Sequence, residues 1–264
     1  MSNVEQRAGQ RAPRTWVAPT VTVVAVLLLW QAVVSFGLVP SFLLPSPTDV
    51  ALALVTDAPV LSQHALVTVG EALIGLACGV AAGFLIACLM ERFAVVRRAL
   101  APIVTVSQTI PTVAIAPLLV LWLGYGMLPK VLLVALTTFF PITVALAEGF
   151  ASVDPDTVDL MRTMGASRMQ VFRYAKLPAA AGSFFSGLRI SATYAVVGAV
   201  VAEWLGGFEG LGVYMTRVRK SYSYDQMFAV IVIISVLSLA LMGLVDALER
   251  WCMPWRRAER KATS

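Results

Sequence analysis

Residues 65–90 read ALVTVGEALIGLACGVAAGFLIACLM. Glu71 is the only charge in this stretch, and a helix needs about 20 predominantly apolar residues to cross a bilayer core. Lipid offers no partners to backbone N–H and C=O groups, so such a run must satisfy them within itself, as a helix. Gly75, Gly79 and Gly83 repeat every fourth residue. That spacing places three glycines on one helix face, where another backbone approaches closely. The competing explanation is a chance scatter of glycines in a glycine-rich membrane protein, and the regular spacing favours packing.

Working outward, five more apolar runs are drawn at 16–38, 99–123, 130–148, 183–205 and 226–250. Only the short turn GYGMLP, residues 124–129, separates two of them. The expected fold is an all-α membrane protein of about six transmembrane helices. Residues 1–15 form an N-terminal tail, 16–250 the membrane domain and 251–264 a C-terminal tail. The first run follows Arg7, Arg11 and Arg14, as a signal peptide would. It is longer than a signal h-region and five spans follow, so it is expected to remain as a span.

Composition agrees. Of 264 residues 59% are hydrophobic and 13% charged, against about a quarter charged in soluble domains. The mean hydropathy is +0.82. The net charge of +5 and the pI near 9.4 raise the question of nucleic acid. The basic residues lie between apolar runs, with no stripe of interleaved aromatics, so a lipid bilayer is expected as partner and nucleic acid is not. Cys78, Cys88 and Cys252 form no Cys-x-x-Cys pair, and His64 is the single histidine. A metal cluster or disulfide framework is not expected.

Lysine and arginine placement sets orientation. Arg7, Arg11 and Arg14 precede the first span, Arg92, Arg97 and Arg98 follow the second, and Arg162, Arg168, Arg173 and Lys176 follow the fourth. Arg250, Arg256, Arg257, Arg260 and Lys261 follow the sixth. The other side has Lys130, Arg217, Arg219 and Lys220. Both termini are therefore expected in the cytoplasm. Trp16, Trp251 and Trp255 then mark the inner interface, and Trp122, Tyr125, Trp204 and Tyr214 the outer one. Trp30 fits neither belt.

The longest expected cytoplasmic loop, FASVDPDTVDLMRTMGASRMQVFRYAKLPAA at 150–180, carries turn chemistry. Asp154 before Pro155 is a helix start. Gly165 is suited to a left-handed helix end. Ser167 and Gln170 have capping-box spacing, and Pro178 is expected to stop or redirect the second helix. The result is a helix–turn–helix between spans four and five. Leu160, Met161 and Met164 share one apolar face, and Val171, Phe172 and Ala175 another. Either the protein's own spans or a partner groove covers such faces.

Within the spans, Glu71, Arg189, Glu203 and Asp246 are costly charges and functional candidates. Paired or interfacial structural charges are the favoured alternative, with Glu71 and Glu203 near outer ends where water reaches. Gln108, Pro111, Thr112 and Pro117 mark span three as a kinked helix. It is either a flexible path-lining element or a static kink. Gln108 and Thr112, four apart, share a helical face from which to hydrogen-bond a solute.

The 150–180 loop resembles the signature loop of ATP-binding-cassette (ABC) importer permeases. The family pattern is Glu-Ala-Ala, three residues, Gly, nine residues, Ile, one residue and Leu-Pro. Asp159, Leu160 and Met161 stand at the opening triplet, which departs from the pattern. Gly165, Leu177 and Pro178 match, and Ala175 replaces Ile. Residues 107–142, LPSPTDV at 44–50, and Glu203 followed by Gly-Leu-Gly at 210–212 resemble the nitrate, sulfonate, taurine and thiamine-precursor branch. IPTVAIAPLLVLW most resembles permeases for pyrimidine precursors of thiamine.

The resemblance implies a multi-pass permease of a bacterial inner membrane that works as a homodimer. It implies two ABC ATPase subunits, which receive Asp159, Leu160, Met161, Met164, Gly165, Ala175, Leu177 and Pro178. It also implies an extracytoplasmic solute-binding protein, and a path whose candidates are Gln108, Pro111, Thr112 and Glu203. No Walker-type phosphate loop is present, and neither a GxSxG elbow nor an HExxH pair occurs. The chain is therefore expected to be no enzyme and to hold no cofactor. The alternative is an ion-coupled secondary transporter, but no internal repeat supports it. A membrane enzyme would need more than one histidine's chemistry.

Overall fold

The structure is a computed structural model and describes residues 17–254. Trp16, Trp255 and the arginines and lysine of both tails lie outside the described residues. The described chain is helical, with no strand: α1 (Val17–Ser35), α2 (Pro47–Thr56), α3 (Ala58–Arg92), α4 (Ala94–Ser107), α5 (Thr112–Leu123), α6 (Met127–Ala151), α7 (Pro155–Thr163), α8 (Arg168–Val171), a π turn (Phe172–Lys176), α9 (Leu177–Gly206), α10 (Leu211–Lys220) and α11 (Tyr224–Cys252). Five stretches are long and apolar enough to cross a membrane: Ala18–Ser35, Ala58–Arg92, Met127–Ala151, Arg168–Gly206 and Tyr224–Cys252.

The remaining apolar run, 99–123, is not one helix. It divides into α4 and α5, with residues 108–111 between them outside any helix. Pro111 is the reason. It lacks an N–H, and its ring disfavours the helical region for the residue before it. Pro111 itself is extended, at φ −63° and ψ 115°. Gln108 and Thr112 therefore do not share a helical face, contrary to the expectation from their spacing. Pro102, Pro117 and Pro141 lie inside helices that continue.

The chain forms two compact units. The first holds α1, α2 and residues 218–229. Helix α1 is apolar around its circumference and largely exposed, as a lipid-facing span is. Helix α2 starts at a capping box, where the Ser46 hydroxyl accepts from Asp49 N–H and the Asp49 carboxylate accepts from Ser46 N–H. Asp57 accepts from Gln226 Nε2 at 2.7 Å. Trp30, which fits neither aromatic belt, packs 5.7 Å from the Phe228 ring.

The second unit, residues 59–217 and 230 onward, is built on α3, α6 and α9. The three glycines of α3 lie directly on α6. A Cβ added at Gly75 would meet Val134 Cβ at 2.4 Å, one at Gly79 Thr138 Oγ1 at 2.0 Å, and one at Gly83 Ile142 Cγ2 at 2.9 Å. Helix α9 meets α6 in the same way: a Cβ at Gly187 would lie 2.8 Å from Pro141 O. Ala192, Ala195, Val196 and Ala199 join Ala72, Leu76 and Val134 in one buried cluster. Ser191 Oγ donates to Thr138 O at 2.9 Å across α6 and α9.

These contacts predict a contrast. Gly79→Leu forces α3 off α6, at an overpacking cost of about 1–3 kcal/mol or more. Gly70→Ala meets open space and is neutral. Thermal melting of the detergent-solubilised variants checks this: Gly79→Leu melts lower or fails to accumulate, and Gly70→Ala melts with the parent.

Candidate functional site

The 150–180 loop folds as its turn residues dictate. Asp154 caps α7, its side chain accepting from Asp156 N–H at 3.0 Å, with Pro155 at the first helical position. Gly165 ends α7 at φ +85°. Ala166 N–H bonds Met161 O and Gly165 N–H bonds Arg162 O, both at 2.9 Å, which is a Schellman closure. Ser167 and Gln170 form the expected reciprocal capping box of α8. The expected stop at Pro178 does not occur. The π turn absorbs the proline: Leu177 N–H reaches back five residues to Phe172 O. The wider turn takes in the ring and the missing N–H without ending the helix. Helix therefore runs unbroken from Arg168 to Gly206.

The two apolar faces of the loop have different fates. Val171 is buried, and Phe172 packs 5.4 Å from Phe150 in a cluster with Ala87, Ile142 and Leu146. Lys176 Nζ pairs with Glu91 at the end of α3, at 2.5 Å. The second helix is thus fixed to the protein's own spans. On α7 only Val158 is buried; Leu160 is 61% and Met164 79% exposed. Asp159 and Arg162 form an exposed i,i+3 pair at 3.6 Å.

The far ends of α3 and α9 hold a second polar assembly. Glu203 is 1% exposed. Its Oε1 accepts from Thr68 Oγ1 at 2.7 Å and its Oε2 from Gly212 N–H, in the first turn of α10, at 2.5 Å. Thr68 Oγ1 also accepts from Leu211 N–H at 2.9 Å. Gly210 N–H donates to His64 Nδ1 at 3.0 Å, and His64 packs 5.3 Å from Tyr214. A Cβ on Gly210 would lie 2.2 Å from the Glu203 carboxylate, and one on Gly212 2.4 Å from Val200 O. The two glycines of Gly-Leu-Gly are what allow the backbone to lie on the carboxylate. Beside it, Lys130 Nζ pairs with Glu71 Oε1 at 2.6 Å, and both side chains are nearly fully buried.

Glu71 and Glu203 are buried, not open to water as their place near span ends implied. Lys130, read as an outer charge, and Tyr214, read as a belt aromatic, are buried too. Sequence reasoning missed Thr68, His64 and Lys130 as members of this assembly; the one available signal was Glu203 with Gly-Leu-Gly. Arg189 lies 2.6 Å from Asp246 Oδ1, off the hydrogen-bond axis, and also bonds Glu249. Gln108 and Pro111 are exposed and Thr112 is half-buried. No group of His, Cys, Asp and Glu among the described residues is placed to hold a metal ion.

The described chain is thus a membrane helix bundle with a capped loop at one end and a buried polar assembly at the other. Residues 79–253 match the family described as binding-protein-dependent transport system inner membrane component, and the chain belongs to that family. It is a multi-pass protein of a bacterial inner membrane and an ABC transporter permease. It is 40% identical over 228 residues to a probable ABC transporter permease protein of Haemophilus influenzae, covering 86% of this chain and 93% of that one. It is 36% identical over 243 residues to the formylaminopyrimidine transport permease protein ThiX of Halalkalibacterium halodurans, covering 91% and 96%. Its fold is shared with a crystal structure of an amino acid ABC transporter, at TM-score 0.62 and 19% identity, over 75% of this chain and 97% of that one.

Breaking the Lys130–Glu71 pair leaves a buried charge uncompensated, which costs about 3–5 kcal/mol. Lys130→Met is therefore expected to lower the melting temperature sharply. The double variant Glu71→Met with Lys130→Met recovers most of that loss, since both charges leave together. Melting of the three proteins in one detergent checks the pattern.

Proposed function

We propose that this chain is the permease subunit of an ABC importer, with both termini and the 150–180 loop in the cytoplasm. Two copies enclose the path, and two separate ATPase subunits each receive one loop. An extracytoplasmic binding protein delivers the solute. The chain itself changes no covalent bond. The observation that carries this reading is the unequal burial of the loop. Helix α8 is anchored by Val171, Phe172 and the Lys176–Glu91 pair, while α7 presents Leu160 and Met164 uncovered. An apolar face on a short, well-capped helix is the form that docks in a partner groove. Met161 shares that face, Asp159 flanks it, and Gly165 fixes its angle. Ala175, Leu177 and Pro178 lie where the helix passes through its π turn into the membrane.

Movement of the ATPases then reaches the membrane through the unbroken helix 168–206. Gln108, Pro111 and Thr112 line the path, where the break between α4 and α5 leaves backbone groups outside a helix. Glu203 holds the outer end closed through its buried bonds to Thr68 and Gly212. The solute is a pyrimidine precursor of thiamine, a reading supported by the 36% identity to the formylaminopyrimidine permease.

Proteoliposomes holding the permease, its ATPase and its binding protein test these statements. Leu160→Asp with Met164→Asp should abolish co-purification of the ATPase, with stability changed by no more than about 0.5 kcal/mol, as for exposed sites. Gly165→Trp imposes a left-handed strain of about 1–2 kcal/mol and should uncouple hydrolysis from uptake. Full solute-stimulated hydrolysis and uptake in that variant would remove Gly165 from the coupling path. Uptake of a formylaminopyrimidine that persists with a proton uncoupler while ATP remains is expected. Uptake that collapses with the gradient marks an ion-coupled carrier, and competition by taurine, an alkanesulfonate or nitrate reassigns the solute.

A further inference from the structure

The loop end of the second unit contains a groove of about 480 Å³. One wall is a face of α3, on which Leu85, Cys88, Leu89 and Arg92 follow one another at helical spacing; the other is the α8–π segment with Met169 and Phe172. Four cations, Arg92, Arg162, Arg168 and Lys176, line the groove together with one carboxylate, Glu91. Lys176 and Glu91 pair with each other. Arg162 has Asp159 at 3.6 Å as an exposed partner, and Arg92 lies over the Phe93 ring at 5.3 Å. The groove lining therefore combines a cationic excess with apolar side chains.

The geometry selects among occupants. Leu85 lies seven residues inward of Arg92, about 10 Å along α3, and is 60% exposed. An occupant must join an anionic end to an apolar tail long enough to run that distance toward the membrane. The docking face of α7 is a different surface, since Leu160 and Met164 do not line the groove. Guanidinium groups match phosphate oxygens in a fork geometry. Basic pockets beside membrane helices on the cytoplasmic side recruit anionic headgroups.

We infer that this groove binds an anionic phospholipid, its phosphate held by Arg92 and Arg168 and an acyl chain laid along Leu85, Leu89 and Phe172. The inference rests on the proposed orientation, which puts this end in the cytoplasmic leaflet. Bound lipid would brace α8 against α3, beside the loop that engages the ATPase.

Cys88 lines the groove, and its thiol reports occupancy. Cys252, exposed near the end of α11 and outside the groove, serves as reference. The full-length permease is placed in nanodiscs of phosphatidylcholine alone or with added phosphatidylglycerol, and maleimide labelling of each cysteine is followed by mass spectrometry. Phosphatidylglycerol should slow Cys88 relative to Cys252 on the order of tenfold, the factor 1 + [L]/Kd for a groove about nine-tenths occupied. The protection should vanish in Arg92→Ala with Arg168→Ala and survive in Arg92→Lys with Arg168→Lys. Equal rates in the two lipids overturn the inference, as does protection that persists in the alanine pair. Protection given by the ATPase subunit in phosphatidylcholine, with nothing added by phosphatidylglycerol, assigns the groove to the ATPase and also overturns it. Nanodiscs present both leaflets alike, so these outcomes do not depend on orientation. A membrane-impermeant maleimide on Cys252 in whole cells tests that separately.

Discussion

Helices in a bilayer gain little from the hydrophobic effect when they meet, because lipid tails are as apolar as leucine. Association must come from close packing and from polar bonds made inside the bundle. In this protein the constraint falls on α3, α6 and α9. Gly75, Gly79 and Gly83 keep α3 side chains out of the way of Val134, Thr138 and Ile142 of α6, and Gly187 lets α9 reach the carbonyl of Pro141. The buried polar groups then join the same three helices: Glu71 to Lys130, Thr68 to Glu203, and Ser191 to the Thr138 carbonyl. Each of these bonds needs the close approach, because a carboxylate or hydroxyl held a few ångströms away would be buried without a partner.

The two ends of this bundle are finished differently. At one end the backbone of residues 207–212 folds onto Glu203 and spends its N–H groups on His64, Thr68 and the carboxylate itself. At the other, α7 is closed by its caps but keeps its apolar face outside. One end thus turns its polar groups inward, and the other leaves Leu160 and Met164 uncovered. A single helix, Arg168–Gly206, connects them, with one irregular turn at Phe172–Lys176. That turn lies between the anchored Val171 and the membrane segment, so it is where the helix departs from a uniform rod.

Proline decides the remaining geometry, and its effect differs by context. Pro111 ends one helix and starts another, so the third apolar run becomes α4 and α5. Pro141 stays within α6, and its surroundings include Gly187 of α9 packed on its carbonyl. Pro178 sits in a helix that widens to accept it. A lone proline fixes its own φ and removes one donor; the neighbours decide whether the chain breaks, bends or widens.

Much of the molecule was legible in its sequence. The apolar runs could only be helices, because lipid leaves the backbone no other partner. The turns of the 150–180 loop followed from Asp154, Gly165, Ser167 and Gln170, whose bonds are local and need no tertiary neighbour. The Gly75–Gly79–Gly83 face announced close packing without naming its partner. What the tertiary structure decided was everything that joins distant residues. It paired Lys130 with Glu71 and Thr68 with Glu203, and enclosed Tyr214. It also covered Phe172 while leaving Leu160 and Met164 bare. A sequence pattern shows that a buried charge needs a partner or that an apolar face needs cover. Which residue supplies either depends on which helices the packing brings within a few ångströms.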